Sequence, residues 1–137
     1  PVAQPAAVLD DSGVTIITLH EEEGDSSQPS DTIVVEYSGW LSNGFMFGTS
    51  RVGRNSRPLK YVIPPAGYIP GWVLGTEGMG LHDWRKLIVP PDMGYAEKGA
   101  MNGTIPPGAT LVFEVECVSL EPGLMRDALP GGSVPQQ

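Results

Sequence analysis

The sequence predicts an α+β fold in which one antiparallel sheet of about five strands wraps a single short helix. Three observations carry this. Short segments rich in β-branched and aromatic residues recur along the chain, punctuated by 18 glycines and 14 prolines. The last of them, TLVFEVECVSL from Thr110 to Leu120, alternates in character. Leu111, Phe113, Val115 and Cys117 share one face, and Val112, Glu114, Glu116 and Val118 the other. That is the pattern of a half-buried antiparallel strand. The third observation is a brief stretch after Pro70 that suits a helix start, because proline is tolerated at the first helical position.

The remaining elements follow in order. VTIITL, Val14 to Leu19, reads as a strand, and the EEEGDSSQPSD stretch after it reads as a solvated loop without an apolar anchor. TIVVEYSGWL, Thr32 to Leu41, is a long strand with Ile33, Val35 and Tyr37 on one face. Asn43-Gly44 marks a hairpin turn into FMF, Phe45 to Phe47. PLKYVI, Pro58 to Ile63, is a strand broken by Pro64 and Pro65. The helix is expected over Gly71 to Met79, weakened and stopped by Gly75, Gly78 and Gly80. WRKLIVP, Trp84 to Pro90, is a strand, and Pro91 to Gly108 an irregular loop.

These boundaries give a domain over 13–120, an extension over 1–12 and a Gly/Pro/Gln-rich tail over 121–137. Both ends are expected to be loosely held or held by a partner, with Leu124, Met125 and Leu129 forming a short amphipathic turn.

The chain has 137 residues and a net charge of −8, from 16 acids and 8 bases. One domain of this length can bury a core without staples. The acidic balance argues against nucleic-acid binding, which needs a basic face. No apolar run approaches the roughly eighteen residues that span a bilayer. The chain begins at Pro1, and the expectation is a processed organellar chain, plastid or secretory, rather than a cytoplasmic one. Half of the bases, Arg51, Arg54, Arg57 and Lys60, fall within ten residues. They read either as one basic loop on an acidic surface or as a docking surface.

Cys117 is the single cysteine, so no intrachain disulfide forms, and its parity places it in the core. Trp84 shares a strand face with Lys86, and it either packs against the termini or the acidic loop or meets a partner of a larger assembly. His82-Asp83 is too sparse for a metal site, and Asn102-Gly103-Thr104 reads as a turn rather than a glycan acceptor.

YIPGW, Tyr68 to Trp72, is the unusual segment. Large apolar side chains crowd a Pro-Gly pair, where turns are ordinarily polar. The rings are either core filling or the floor of a pocket.

VEYSGWLSNGFMF, YIPGWVLGTEGM, IVPPDMGYAEKG and IPPGATLVFEVE occur in this order. Together they resemble the FKBP-type peptidyl-prolyl cis/trans isomerases, the immunophilin family, from about Gly13 to Leu120. The resemblance implies a half-barrel of antiparallel strands around one short helix. It implies that Trp72 floors a proline pocket and that the Ile69 N–H meets a bound carbonyl. Tyr37, Phe47, Ile69, Trp72, Tyr95 and Phe113 match the catalytic wall. Gly48, Arg54, Leu59, Tyr68 and Ile105 match positions that contact substrate. No cofactor or metal is implied. The partners implied are proline-containing client proteins and a macrolide ligand of the FK type.

Four departures stand out. Gly48 replaces the family's aspartate, whose carboxylate pairs with a phenol, here Tyr37, and an arginine, here Arg54. Leu59 replaces an aromatic, Tyr68 is larger than the common valine, and Ala100 to Gly103 match loosely. Two functions follow: a prolyl isomerase that assists folding, or a binding module of the same fold with weak or no catalysis, acting as a chaperone or fixed subunit.

Overall fold

The computed structural model describes residues 6–9 and 11–123. Its strands are β1 (Ala6–Leu9), β2 (Thr15–His20), β3 (Thr32–Leu41), β4 (Met46–Thr49), β5 (Arg51–Val52), β6 (Asn55–Ser56), β7 (Leu59–Val62), β8 (Trp84–Val89) and β9 (Leu111–Glu121), with one helix, α1 (Pro70–Gly75). Among the described residues, seven strands form an open antiparallel sheet in the order β1-β2-β8-β9-β3-β4, with β7 also paired to β3. The predicted class holds, with more strands than the expected five.

One added strand comes from the start of the chain. The sequence predicts a loosely held segment before Asp10, yet Ala6 to Leu9 pair with Thr15 to Thr18. The signal of this strand is weak because Val8 and Leu9 remain exposed, so no buried face imposes an alternation. The tail turn expected at Leu124, Met125 and Leu129 lies outside the described residues.

The middle of the sheet is β3 against β9, paired from Thr32–Glu121 to Leu41–Leu111 with one register shift at Val34/Val35. The other edge of β3 is shared. Its first half, Thr32 to Val35, pairs β7, and its second half, Ser38 to Trp40, pairs β4. At the join Ser50 takes over: its N–H donates to the Tyr37 carbonyl at 2.8 Å, and its Oγ accepts from the Tyr37 N–H at 2.8 Å. No backbone group of Tyr37 is left unpaired where the edge changes partner. The β5–β6 hairpin leaves the sheet at this join, turning on Gly53 with φ +58°.

β4 begins at Met46, one residue later than expected, because Phe45 belongs to the turn. Gly44 takes φ +93°, and the Phe45 N–H donates to Asn43 Oδ1 at 2.9 Å. The acidic loop is only half as solvated as expected. Glu21 to Ser26 are exposed, but Ser27 and Asp31 are buried. Asp31 anchors the loop by accepting from Gln28 N–H and Gly123 N–H, both at 2.9 Å.

The helix is shorter than the expected Gly71 to Met79. Thr76 caps it, with both its N–H and its Oγ1 donating to the Trp72 carbonyl. Gly78 then takes φ +75° and turns the chain so that Met79 drops into the core. The helix lies on β8 through two glycines: a Cβ at Gly71 would collide with Val89 Cγ1, and one at Gly75 would stand 2.6 Å from Leu87 Cδ1. Val89 and Leu87 are fully buried, so the contact has no slack.

Gly71→Ala tests this packing. Alanine gains about 1 kcal/mol of helix propensity, but overpacking a stiff valine costs about 1–3 kcal/mol. The expected outcome in urea unfolding is a net loss of stability, whereas the same change at an uncrowded helical glycine would stabilise.

Candidate functional site

The concave side of the sheet and the start of α1 enclose a cavity of about 310 Å³. The middle of β3 supplies Tyr37, β4 supplies Phe47, and β7 supplies Leu59. The turn before the helix supplies Gly67, Tyr68 and Ile69, and α1 supplies Trp72. Phe113 enters from β9, and Tyr95 and Met101 from the loop between β8 and β9.

Trp72 sits where these elements meet and is 3% exposed. Its indole packs edge-on to Tyr37 at 5.8 Å and to Phe113 at 5.4 Å, and lies tilted against Tyr68 at 5.8 Å. Phe47 meets Phe113 edge-on at 5.6 Å. Gly39 makes that last contact fit, since a Cβ there would stand 2.7 Å from Phe47 Cζ and 3.0 Å from Phe113 Cε1. Edge-on aromatic pairs add about 0.5–1.5 kcal/mol beyond their burial. The indole N–H donates to Tyr61 Oη at 3.0 Å, so the buried donor is satisfied and the ring is locked in rotation.

The polar atoms of the cavity are few. Among the described residues, the Ile69 N–H donates to no acceptor, because it lies just before the helix. The phenols of Tyr37, Tyr68 and Tyr95 likewise make no hydrogen bond among the described residues. Burial holds Tyr61 and Tyr68 above the usual phenol range, so both stay protonated donors at ordinary pH.

The residues predicted from sequence divide clearly. Tyr37, Phe47, Ile69, Trp72, Tyr95 and Phe113 converge on one cavity, joined by Leu59 and Tyr68. Ile105 does not line it: at 1% exposure it is part of the core beneath. Gly48 stands beside the wall, and a Cβ there would lie 3.8 Å from Tyr37 Oη in otherwise open space. Arg54 is at the exposed hairpin tip and, among the described residues, makes no ion pair; Arg51 pairs instead, at 2.6 Å with Glu116.

Three contributors are missing from the sequence prediction. Met101, 53% exposed, sits on the rim, in a loop whose pattern gives no periodicity. Gly67 offers only backbone. Tyr61, the partner of the Trp72 indole, shares the Leu59 face of β7, so its parity was the available signal.

His82 and Asp83 have a structural role. The Asp83 carboxylate accepts from Gly80 N–H at 2.7 Å and Glu22 N–H at 3.1 Å. A second, larger groove of about 610 Å³ runs along the acidic loop past Leu81, Leu120 and Pro122, and it contains no aromatic ring.

The cavity is lined by rings and by Ile69, whose N–H has no acceptor among the described residues. The family model for FKBP-type peptidyl-prolyl cis-trans isomerase matches residues 24–118. The chain belongs to that family. FK506-binding protein 1 of Dictyostelium discoideum is 36% identical over 109 residues, covering 80% of this chain and 99% of the relative. An FK506-binding protein of Neisseria meningitidis is 41% identical over 108 residues, covering 79% of this chain and 96% of the relative. The crystal structure of FkpA from Escherichia coli superposes with a TM-score of 0.73 at 32% identity, over 85% of this chain and 52% of that one. An isomerase structure from Pseudomonas syringae gives a TM-score of 0.71 at 25% identity, over 88% of this chain and 84% of that one. By these relatives the chain is an FKBP-type peptidyl-prolyl isomerase, an enzyme of protein folding.

Two measurements check the site's construction. Tyr61→Phe leaves the buried Trp72 N–H without a partner, and the expected loss in urea unfolding is about 1–3 kcal/mol. Burial pushes the Cys117 thiol from 9.0 up to about 11. A raised folded pKa means stability is complete below about 9 and is lost as pH rises toward about 11. Cys117→Ala is expected to remove that part of the alkaline slope.

Proposed function

We propose that the cavity over Trp72 isomerises Xaa-Pro bonds through its aromatic walls and the Ile69 N–H, without the help of a carboxylate at position 48. The observation that carries this reading is a ring-lined cavity whose wall includes Ile69, with an N–H that has no acceptor among the described residues.

Rotation about a peptide bond faces a barrier of about 18–20 kcal/mol, set by amide resonance. Only interactions stronger in the twisted state than in either planar state lower it. A twisted amide has lost resonance, and its C–N dipole is smaller. A dry aromatic cavity therefore suits it better than water does. The proline ring would rest on Trp72 beside the Phe47–Phe113 pair. The Ile69 N–H would hold a substrate carbonyl, fixing one side of the rotating bond while the other turns. The phenols of Tyr37 and Tyr95 are further donors for the chain on either side. No proton moves and no bond breaks, so no nucleophile or base is required. Uncatalysed exchange takes about 10–100 s, which leaves room for useful acceleration.

An FK-type macrolide is the corresponding small ligand, supported by the names of the relatives. Gly48 leaves Tyr37 Oη without a neighbouring carboxylate, so a ligand group there would meet the phenol alone.

Prolyl exchange in an Ala-Leu-Pro-Phe peptide, followed by NMR exchange spectroscopy, tests the reading. Wild type should accelerate exchange, and Trp72→Leu, with folding checked by circular dichroism, should lower kcat/KM about tenfold or more. Gly48→Asp has room for its side chain and should be at least as active as wild type. Acceleration by Gly48→Asp but not by wild type would sink the proposal and favour a binding module.

A further inference from the structure

We propose that the basic hairpin beside the cavity selects prolyl segments flanked by acidic residues. This rests on the isomerase reading above and specifies its substrate class.

Residues 37–76 contain four bases and not one Asp or Glu, while the rest of the chain carries 16 acids against four bases. That same stretch builds most of the cavity wall, from Tyr37, Phe47 and Leu59 to Tyr68, Ile69 and Trp72. An apolar site is thus bordered on its hairpin side by bases, on a chain that is otherwise strongly anionic. A local excess of one charge sign beside a site steers ligands of the opposite sign to it.

The hairpin is inserted between two wall residues, Phe47 before it and Leu59 after it. Its base is fixed to the site: Arg57 N–H donates to the Ser50 carbonyl at 2.7 Å, and Ser50 N–H donates to the Tyr37 carbonyl at 2.8 Å. Not all four bases are available. Arg51 is engaged with Glu116 at 2.6 Å, and Glu36 faces the same corner, accepting from Ser50 Oγ at 2.5 Å. Lys60 alternates away from Leu59 and Tyr61 on β7. Arg54 at the tip and Arg57 at the base are exposed and, among the described residues, make no ion pair. The loop carrying Tyr95 presents exposed Asp92, Glu97 and Lys98. Acids on a substrate are therefore favoured on the hairpin side. Gly48 places no carboxylate between the hairpin and the cavity to cancel its field.

Reach sets the positions. An extended peptide rises about 3.3 Å per residue, and Arg57 is two residues from the wall at Leu59. An acid two or three positions from the proline comes within range of an arginine side chain. Each exposed pair is worth roughly a twofold to fivefold gain in binding at low salt, and screening removes it.

The test uses peptides with a central Leu-Pro and Glu, Gln or Lys at the second and third positions on either side. Isomerisation is measured by NMR exchange at about 20 mM and about 300 mM salt, concentrations that bracket strong and weak screening. At low salt the Glu peptides should exceed the Gln peptides in kcat/KM by about fivefold. The Lys peptides should fall below both, and the differences should shrink at high salt. The double variant Arg54→Gln, Arg57→Gln should bring the Glu-to-Gln ratio to about one. Acceleration with no dependence on peptide charge, or a Glu preference that survives the double variant, overturns this proposal and leaves the isomerase reading standing. Absence of acceleration with every peptide overturns both. Flat ratios with arginine-dependent retention on phosphatidylserine vesicles would overturn it too and reassign the hairpin to a lipid surface.

Discussion

The indole of Trp72 ties together the helix, the sheet and the cavity. It is on the first turn of α1, it is nearly fully buried, and its ring edges meet β3 through Tyr37 and β9 through Phe113. Its one polar atom is satisfied by Tyr61 on β7. A buried N–H with no acceptor would cost about 1–3 kcal/mol. A single side chain therefore registers three strands against one helix. The ring is large enough to floor a cavity and too tightly bonded to turn into it.

That arrangement depends on a short helix that approaches the sheet closely. Gly71 and Gly75 let the backbone of α1 rest on Val89 and Leu87, which sets the depth of Trp72 below the rim. The helix runs from Pro70 to Gly75, and Pro70 itself has no N–H, so few backbone donors are left over at its start. One of them, the Ile69 N–H, belongs to a residue that lines the cavity and has no acceptor among the described residues. The proposed function uses a leftover of helix geometry: the N–H groups at a helix start have no partner inside the helix. A site that lowers a rotational barrier needs a dry wall and one fixed donor, and this packing supplies both.

The split edge of β3 has a second consequence. Because β4 and β7 each cover only half of β3, the chain between them must leave the sheet, and it does so as the β5–β6 hairpin beside Tyr37. The bases of that hairpin are brought to the cavity by topology, while the acids of the chain gather on the loop before β3 and elsewhere. Shape selection by rings and charge selection by a hairpin are thus separable properties of one surface. The first depends on close packing, and the second on long-range fields that salt can screen.

Most of the fold was legible in the sequence, for a local reason. Alternation in β9, the Asn43-Gly44 turn and Pro70 at the helix start are near-neighbour patterns, and each is set by backbone sterics or by one buried face. Strand β1 was not legible, because an exposed edge imposes no pattern on its side chains. The helix ends earlier than its sequence suggests because Thr76 caps it before Gly78, one of the expected glycines, turns the chain. Within the site, the ring residues could be named from sequence because the order of motifs resembles a known family. Ile105, expected in the wall, is buried beneath it, and Met101 reaches the rim from a loop without periodicity. By itself the sequence determined which residues are apolar, where the chain turns and how its charge is distributed. Only the tertiary structure decided that Tyr61 satisfies Trp72 and, among the described residues, that Arg51 rather than Arg54 is paired and that the Ile69 N–H has no acceptor. Each of those joins residues far apart in the chain or follows from the absence of such a contact, and no local preference encodes it.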